Sequence, residues 1–398
     1  MKIVHTSDWH AGKIWKGINR IGEVATALDH LAGFIEAERI DLVLHSGDVF
    51  DASVPMAEAE RVVFEFLKRV GRSGAKTVVI AGNHDNPGRM QAWGLLAELV
   101  DVYTIPRPAR PDRGGVVEVR ARGGERAIVA GLPFTSVGML LSALEIAATD
   151  GAAFAGYADG VRRMMQVLSS RFLADSVNLL IAHVYIEGAV VAGSERRATL
   201  GKDWGATPQA LPSRAHYVGL GHIHRPQWVD AAPAPTRYAG SVLQMDFDEA
   251  GEEKSFAYIE ASAGKPAAVR RIPYEGTTSL ARVRMGLPEI EARAEDLKGR
   301  GYLEATVMLD RHDPDINSKI RRLLPNAVSV RQEYPQQAQE VRSERKGLHP
   351  RELFRLYFKT RERGEPAEEL LKTFDELYKQ AESDSNLSGP IKGLERHC

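Results

Sequence analysis

Residues 77–85 read Thr77-Val78-Val79-Ile80-Ala81-Gly82-Asn83-His84-Asp85. The segment Thr77–Ala81 has the texture of a strand buried on both faces, with no alternate position reserved for water. The polar tetrad that follows then stands just beyond the strand's carboxyl end, where open α/β sheets place their ligand sites. The arrangement recurs along the chain. Ile3–Thr6 leads into Asp8-Trp9-His10, Asp41–Ser46 into Gly47-Asp48, Asn178–Ala182 into His183, and Tyr217–Gly221 into His222-Ile223-His224. Between the first of these strands lie two helical stripes. Glu23–Glu38 carries Val24, Leu28, Leu31 and Ile35, and Ala57–Val70 carries Val62, Val63, Phe66, Leu67 and Val70. Repeated strand–helix–strand units predict a parallel sheet covered on both faces.

From Val116 to Pro273 the chain is richer in strands: Val116–Val119, Ala127–Gly131, Asn178–Ala182, Tyr217–Gly221, Arg237–Ala239, Phe256–Glu260 and Val269–Ile272. Helical patterns at Met139–Ala148 and Val161–Leu173 interrupt them. Strands in both halves predict an α/β class protein, a four-layer α/β/β/α sandwich rather than one doubly wound sheet. Beyond Pro273, residues 280–332 read as a small α/β unit with a helix near 289–298, a strand Tyr302–Leu309, a helix Ile316–Leu324 and a strand Ala327–Val330. The polar stretch Glu333–His349 reads as a linker. Two further helices, Arg351–Thr360 and Pro366–Ala381, follow, the second with Leu370, Leu371, Phe374, Leu377 and Tyr378 on one face. The expected domains are 1–275, 276–335 (a small α/β domain), a linker 336–349, C-terminal helices 350–382 and a flexible tail 383–398.

Composition excludes several functions. Among 398 residues, Lys and Arg number 52 against 53 Asp and Glu, a net charge of −1, so no whole-chain basic field exists and a nucleic-acid surface must be local. The single cysteine, Cys398, rules out a disulfide framework and a cysteine-based zinc site. The N-terminus reaches Ser7 and Asp8 too soon for a signal-peptide core, and no apolar run approaches the roughly 18–20 residues of a membrane span. A cytoplasmic protein without membrane contact is expected.

The five segments supply carboxylate, imidazole and one carboxamide. That mixture suits Mn²⁺, Fe²⁺ or Zn²⁺ better than an all-oxygen calcium cage. Asp8, His10, Asp48, Asn83, His183, His222 and His224 exceed what one tetrahedral ion needs, so two ions with a shared ligand are the economical reading. A carboxylate bridges two cations where imidazole cannot, which singles out Asp48. Two carboxylates leave such a pair with surplus positive charge, which welcomes a phosphodiester anion. Asp-x-His alone is weak and Gly-Asp alone weaker, since Gly-Asp pairs abound in turns; Gly-Asn-His-Asp and Gly-His-x-His after apolar strands are stronger, and the conjunction of five at strand ends carries the reading. His5 and His45 lie inside strands and read as core or supporting residues.

The order D-x-H, G-D, G-N-H-D, H, G-H-x-H over residues 8–224 resembles the calcineurin-like metallophosphoesterase family. The surrounding words HTSDWHAGK, HSGDVFD and AGNHDNPGR, with the small domain and terminal helices, resemble the DNA-repair nucleases of that family over most of the chain. The resemblance implies one ion on Asp8, His10, Asp48 and His224, and another on Asp48, Asn83, His183 and His222. It makes His84 the catalytic histidine that is not a ligand. Asp51 is then a second catalytic candidate, able to hydrogen-bond His84, or else a turn or cap before Pro55. In the protein-phosphatase branch an arginine follows the aspartate matching Asp51; here Ala52 follows, which argues against phosphomonoesters.

The implied reaction is in-line attack of an activated water on a backbone phosphorus, with His84 stabilising or protonating the leaving oxygen. The implied cofactors are two divalent ions, with Mn²⁺ expected, and the implied substrate is DNA, cut as an exonuclease at duplex ends and an endonuclease at hairpins and single strands, with 276–335 as the small α/β capping domain that guides it. The implied partners are an SMC-like ATPase on the C-terminal helices and a second copy of the chain. The implied location is the nucleoid. Arg225, next to His224, is a candidate substrate contact. The arginines of 105–126 fit either a phosphate-tracking loop or a solvated surface loop. The competing readings are a small-molecule or cyclic-nucleotide phosphodiesterase, which needs neither the 280–332 unit nor the terminal helices, and a non-catalytic scaffold, against which the full ligand set argues.

Overall fold

The computed structural model of the protein describes residues 1–145, 156–195, 205–334, 349–362 and 365–387. One six-stranded sheet has the order Lys265–Pro273, Ser255–Ser262, Lys2–Thr6, Leu42–His45, Lys76–Ile80, Val102–Ile105. Its last four strands are parallel, and the helices Ile21–Glu38, Ala57–Arg72 and Pro87–Ala97 connect them. Ser255–Ser262 returns antiparallel to Lys2–Thr6. The second sheet runs Gln227–Trp228, Thr236–Tyr238, Tyr217–Gly221, Val177–His183, Arg126–Leu132, Val116–Arg120. Its four inner strands are parallel and its two edges antiparallel.

Side chains of alternate residues leave opposite faces of a strand, and that alternation builds the layers. Ile3, Leu42, Leu44, Val78 and Ile80 of the first sheet meet Ala127, Val129, Leu179 and Ile181 of the second in one apolar seam. Their neighbours Val4, Val43 and Val79 face the other way, onto Val24, Leu28, Leu31, Val63 and Phe66 of the first two helices. Ile128, Ala130, Leu180, Val218 and Leu220 likewise pack on Val161, Met164 and Leu168 of the helix Tyr157–Ser169. The result is the four-layer α/β/β/α sandwich. The inner strands are buried on both faces along most of their length, which is why their sequences are largely apolar.

Pairing fixes the height of the site. His45 is opposite Thr6 and Val79, so the carboxyl ends of three strands of the first sheet are level. Gly221 is opposite His183 in the second.

A three-stranded sheet, with Tyr302–Met308 between Leu280–Gly286 and Ala327–Glu333, closes the small α/β element. The strand Leu280–Gly286 is absent from the sequence reading. Ile290, Leu297, Leu303, Ile320 and Leu324 form its buried interior. Leu280, Tyr302 and Val328 of this sheet pack against Trp15, Ile18 and Phe247.

Contacts divide the chain into two compact units. The larger holds Met1–Arg284, Pro288–Thr306 and Asn317–Arg331; the other holds Met285–Leu287, Val307–Ile316 and Gln332–Cys398. Within the second, Pro350–Glu362 and Glu368–Leu387 are helices whose Phe354 and Phe374 rings stack at 4.3 Å. The expected linker 336–349 lies outside the described residues except for His349, and so does most of the expected tail. Among the described residues, no helix is long and apolar enough to cross a membrane.

Candidate metal centre

Five loops at the carboxyl ends of these strands tie directly to one another. The Asp8 N–H donates to the Gly47 carbonyl at 3.0 Å, and those of His10 and Ala11 donate to Asp48 and Val49 at 3.1 and 3.0 Å. The buried Asp85 carboxylate accepts from the N–H groups of Val49, Phe50 and Gly82 at 3.2, 3.0 and 2.8 Å, so the loops after the second and third strands are held by one side chain. The crossing is too tight for a side chain at two positions. A Cβ on Gly82 would lie 2.1 Å from Asp48 Oδ1, and one on Gly47, whose φ is +99°, would lie 2.4 Å from His183 Nδ1.

Asp8, His10, Asp48 and His222 have φ of +50°, +45°, +54° and +94°. Non-glycine residues held there cost about 1–3 kcal/mol each, and such strain collects at functional sites.

The donors face one another. Asp48 Oδ2 lies 3.6 Å from His10 Nε2 and 3.5 Å from His183 Nε2, so one carboxylate oxygen reaches both halves of the pocket. On the first side His10 Nε2 is 3.1 Å from His224 Nε2, and Asp8 clusters with both rings. On the second, Asn83 Oδ1 is 3.0 Å from His183 Nε2 and 2.9 Å from His222 Nδ1. All seven expected donor residues are therefore together.

What lies behind the rings shows which nitrogens are available. His183 Nδ1 is 2.8 Å from the Ser46 carbonyl, which can only accept, so Nδ1 carries the proton and Nε2 presents a lone pair. His10 Nδ1 likewise meets the Asp51 carboxylate at 3.1 Å. Lone pairs of imidazole, carboxamide and carboxylate thus converge on shared space, an arrangement that divalent cations satisfy. The donor set fits two such ions.

The charges of His10 and Asp48 agree with a ligand role. Burial drives His10 down to about 4, so its ring is neutral near pH 7. Burial also opposes ionisation of Asp48, but His183, His10, His84 and the His84 N–H outweigh it and hold the carboxyl below its usual range. Asp8 is pushed up to about 8 by burial, with His224 pulling it down and Asp48 raising it. Cations between these carboxylates reverse that upward push.

Three expectations need correction or addition. Asp51 does touch His84, but through its main-chain carbonyl, which accepts from Nδ1 at 2.7 Å; its carboxylate is turned to His10 and to Lys13 Nζ at 3.3 Å. The carboxylate therefore orients a candidate ligand rather than the candidate acid. The Arg225 guanidinium is engaged by Glu252, with Nε 2.6 Å from Oε1, so its charge is balanced within the chain. In the 105–126 stretch, Arg110 and Arg113 pair with Glu145, and Arg126 pairs with Asp175. His5 bonds Tyr217 and Ser46, while His45 accepts from the Gly47 N–H, both from within the strands.

Other residues at the site have no place in the sequence reading. Ser194, Glu195, Glu249 and Lys254 surround His224 from two distant loops. Glu249 and Lys254 lie in a run of charges from Asp246 to Lys254 that gives no sign of which ones are buried.

Paired sheets with this donor set define a calcineurin-like metallophosphoesterase. The family model for calcineurin-like phosphoesterases matches residues 1–148, and that of the type 5 capsule protein repressor C-terminal domain matches 277–362. The SbcD subunit of nuclease SbcCD from Bacillus subtilis (strain 168) is 30% identical over 391 residues, covering 96% of this chain and 99% of that protein. The protein of the same description from Rhodobacter capsulatus is 30% identical, covering 74% and 78%, and that of Escherichia coli (strain K12) is 26% identical, covering 81% and 82%. The chain belongs to the SbcD nuclease family.

Proposed function

We propose that this chain is the metal-dependent nuclease subunit of an SbcCD-type complex and hydrolyses phosphodiester bonds of DNA. One observation carries the reading: a single Asp48 oxygen stands 3.6 and 3.5 Å from imidazole nitrogens in two adjoining donor clusters. Asp8, His10, Asp48 and His224 would hold one ion, and Asp48, Asn83, His183 and His222 the other, with Mn²⁺ the expected metal. When bound, the pair supplies a Lewis acid that activates water and neutralises the non-bridging phosphate oxygens. The chain's own residues do the rest. The Asp51 carbonyl accepts the His84 Nδ1–H, which fixes the ring and leaves Nε2 as the nitrogen that would give a proton to the leaving oxygen. Asp51, through His10, and Ser46, through His183, keep two ligand rings from rotating. The element at 280–332 is the proposed cap that guides DNA to the site.

End-labelled blunt duplex and hairpin DNA incubated with Mn²⁺ should be shortened and opened, and EDTA should abolish both. Hydrolysis of bis(p-nitrophenyl) phosphate with intact DNA would favour the small-molecule reading instead.

Two surfaces fit the proposed partners. Leu95, Leu96 and Leu99, at the end of the helix Pro87–Ala97 and just beyond it, are 73%, 71% and 83% exposed, an apolar face suited to a second copy of the chain. Leu353, Leu370 and Leu377 are exposed on the terminal helices, where the ATPase is expected to dock. Light scattering should give a dimer that Leu96→Asp converts to monomer. A chain ending at Val341 should remain dimeric yet no longer co-elute with the ATPase; retained co-elution would move the docking site elsewhere.

A further inference from the structure

His224 is held from behind differently from His10 and His183. Those rings meet a carboxylate and a carbonyl, which only accept. Behind His224 Nδ1, at 2.5 Å, is the hydroxyl of Ser194, which can donate or accept and so does not decide which ring nitrogen bears the proton. The decision falls one atom further on. Ser194 Oγ also meets Glu249 Oε1, whose side chain is fully buried. The other Glu249 oxygen takes Lys254 Nζ at 2.6 Å and the Met245 N–H at 2.9 Å. Lys254 Nζ in turn donates to the His224 carbonyl at 2.8 Å. An ionised Glu249 accepts the Ser194 proton, so Ser194 must accept from the His224 Nδ1–H. Only then does His224 Nε2 present its lone pair to the space it shares with His10 and Asp8.

The loop bearing Ser194 is itself pinned. Glu195 accepts from the N–H groups of His224, Ala192 and Gly193 at 3.0, 2.9 and 2.8 Å, which locks residues 192–195 to the His224 turn. A buried ion pair gives little net stability, because desolvation offsets its attraction. Placement of the Glu249–Lys254 pair against a ligand ring therefore points to orientation rather than to folding.

We propose that Ser194 and Glu249 are positioning residues, forming a hydroxyl-to-carboxylate chain that fixes the His224 tautomer and so governs one of the two cation sites and not the other. The proposal rests on the two-cation reading above. Residues behind metal ligands change affinity by about 10–100-fold, and here the whole effect falls on the side held by Asp8, His10 and His224.

The test is Mn²⁺ titration of the full chain by calorimetry, with electron paramagnetic resonance to report whether the bound ions are coupled. The unaltered protein should bind two equivalents and give a coupled spectrum. Ser194→Ala should keep one equivalent at full affinity, weaken the other by about 10–100-fold, and show isolated-ion signals, with the melting temperature of the metal-free protein unchanged. Ser194→Thr, which keeps the hydroxyl, should restore the coupled spectrum. The double variant Glu249→Gln, Lys254→Met, which removes both buried charges together, should weaken the same equivalent. Two full-affinity equivalents in Ser194→Ala overturn the proposal, as does equal weakening of both sites with a lowered melting temperature. Fewer than two equivalents in the unaltered protein would instead strike down the two-cation reading and this proposal with it.

Discussion

Asp48→Ala should lose at least one divalent ion and reduce phosphodiester hydrolysis by about three decades or more, since a Lewis-acid contribution is worth several kcal/mol. The size of the effect follows from how many contacts one side chain makes. Oδ2 lies between His10 and His183, and Oδ1 accepts the His84 N–H at 2.8 Å. Removing the carboxylate therefore empties the shared position and releases the His84 backbone together. Metal content by mass spectrometry is the deciding measurement. Two ions retained at the affinity of the unaltered protein would end the bridging assignment.

His84→Ala should behave in the opposite way, with both ions kept and turnover lowered by about two to four decades. The ring stands against His10, their centroids 4.7 Å apart, and its Nδ1 is committed to the Asp51 carbonyl. His84 also lies near enough to His10 and Asp48 to share an ion with them, which gives the experiment its second outcome. Loss of an ion in His84→Ala would make the residue a ligand, whereas unchanged metal content with a fall in kcat and little change in KM identifies a proton donor to the leaving oxygen.

The sandwich was legible because burial on two faces leaves uninterrupted apolar runs, and the site because each run ends abruptly in residues able to bind cations. Other parts were illegible for physical reasons. The helix Pro87–Ala97 turns Leu95 and Leu96 outward, so no periodic stripe marks a buried face. Val102–Ile105 is a four-residue edge strand next to the arginine-rich stretch whose loop texture dominates the reading. Spacing brings Asp51 near His84 but cannot distinguish a carbonyl from a carboxylate as the acceptor. Ser194 and Glu249 lie 30 and 25 residues from His224, and only the folded chain brings them to one nitrogen.

The pocket draws Asp8, His10, Asp48 and Asn83 from one sheet and His183, His222 and His224 from the other. A slide of either sheet past its neighbour would therefore change the cluster before it disturbed any single loop. Misplacement by about 1 Å can cost a hundredfold in rate. Leu44, Ile80, Leu179 and Ile181 touch no substrate, yet they set the alignment on which turnover depends. A methyl group trimmed from that greasy interlayer would thus register first as a slower enzyme, and only later as a weaker fold.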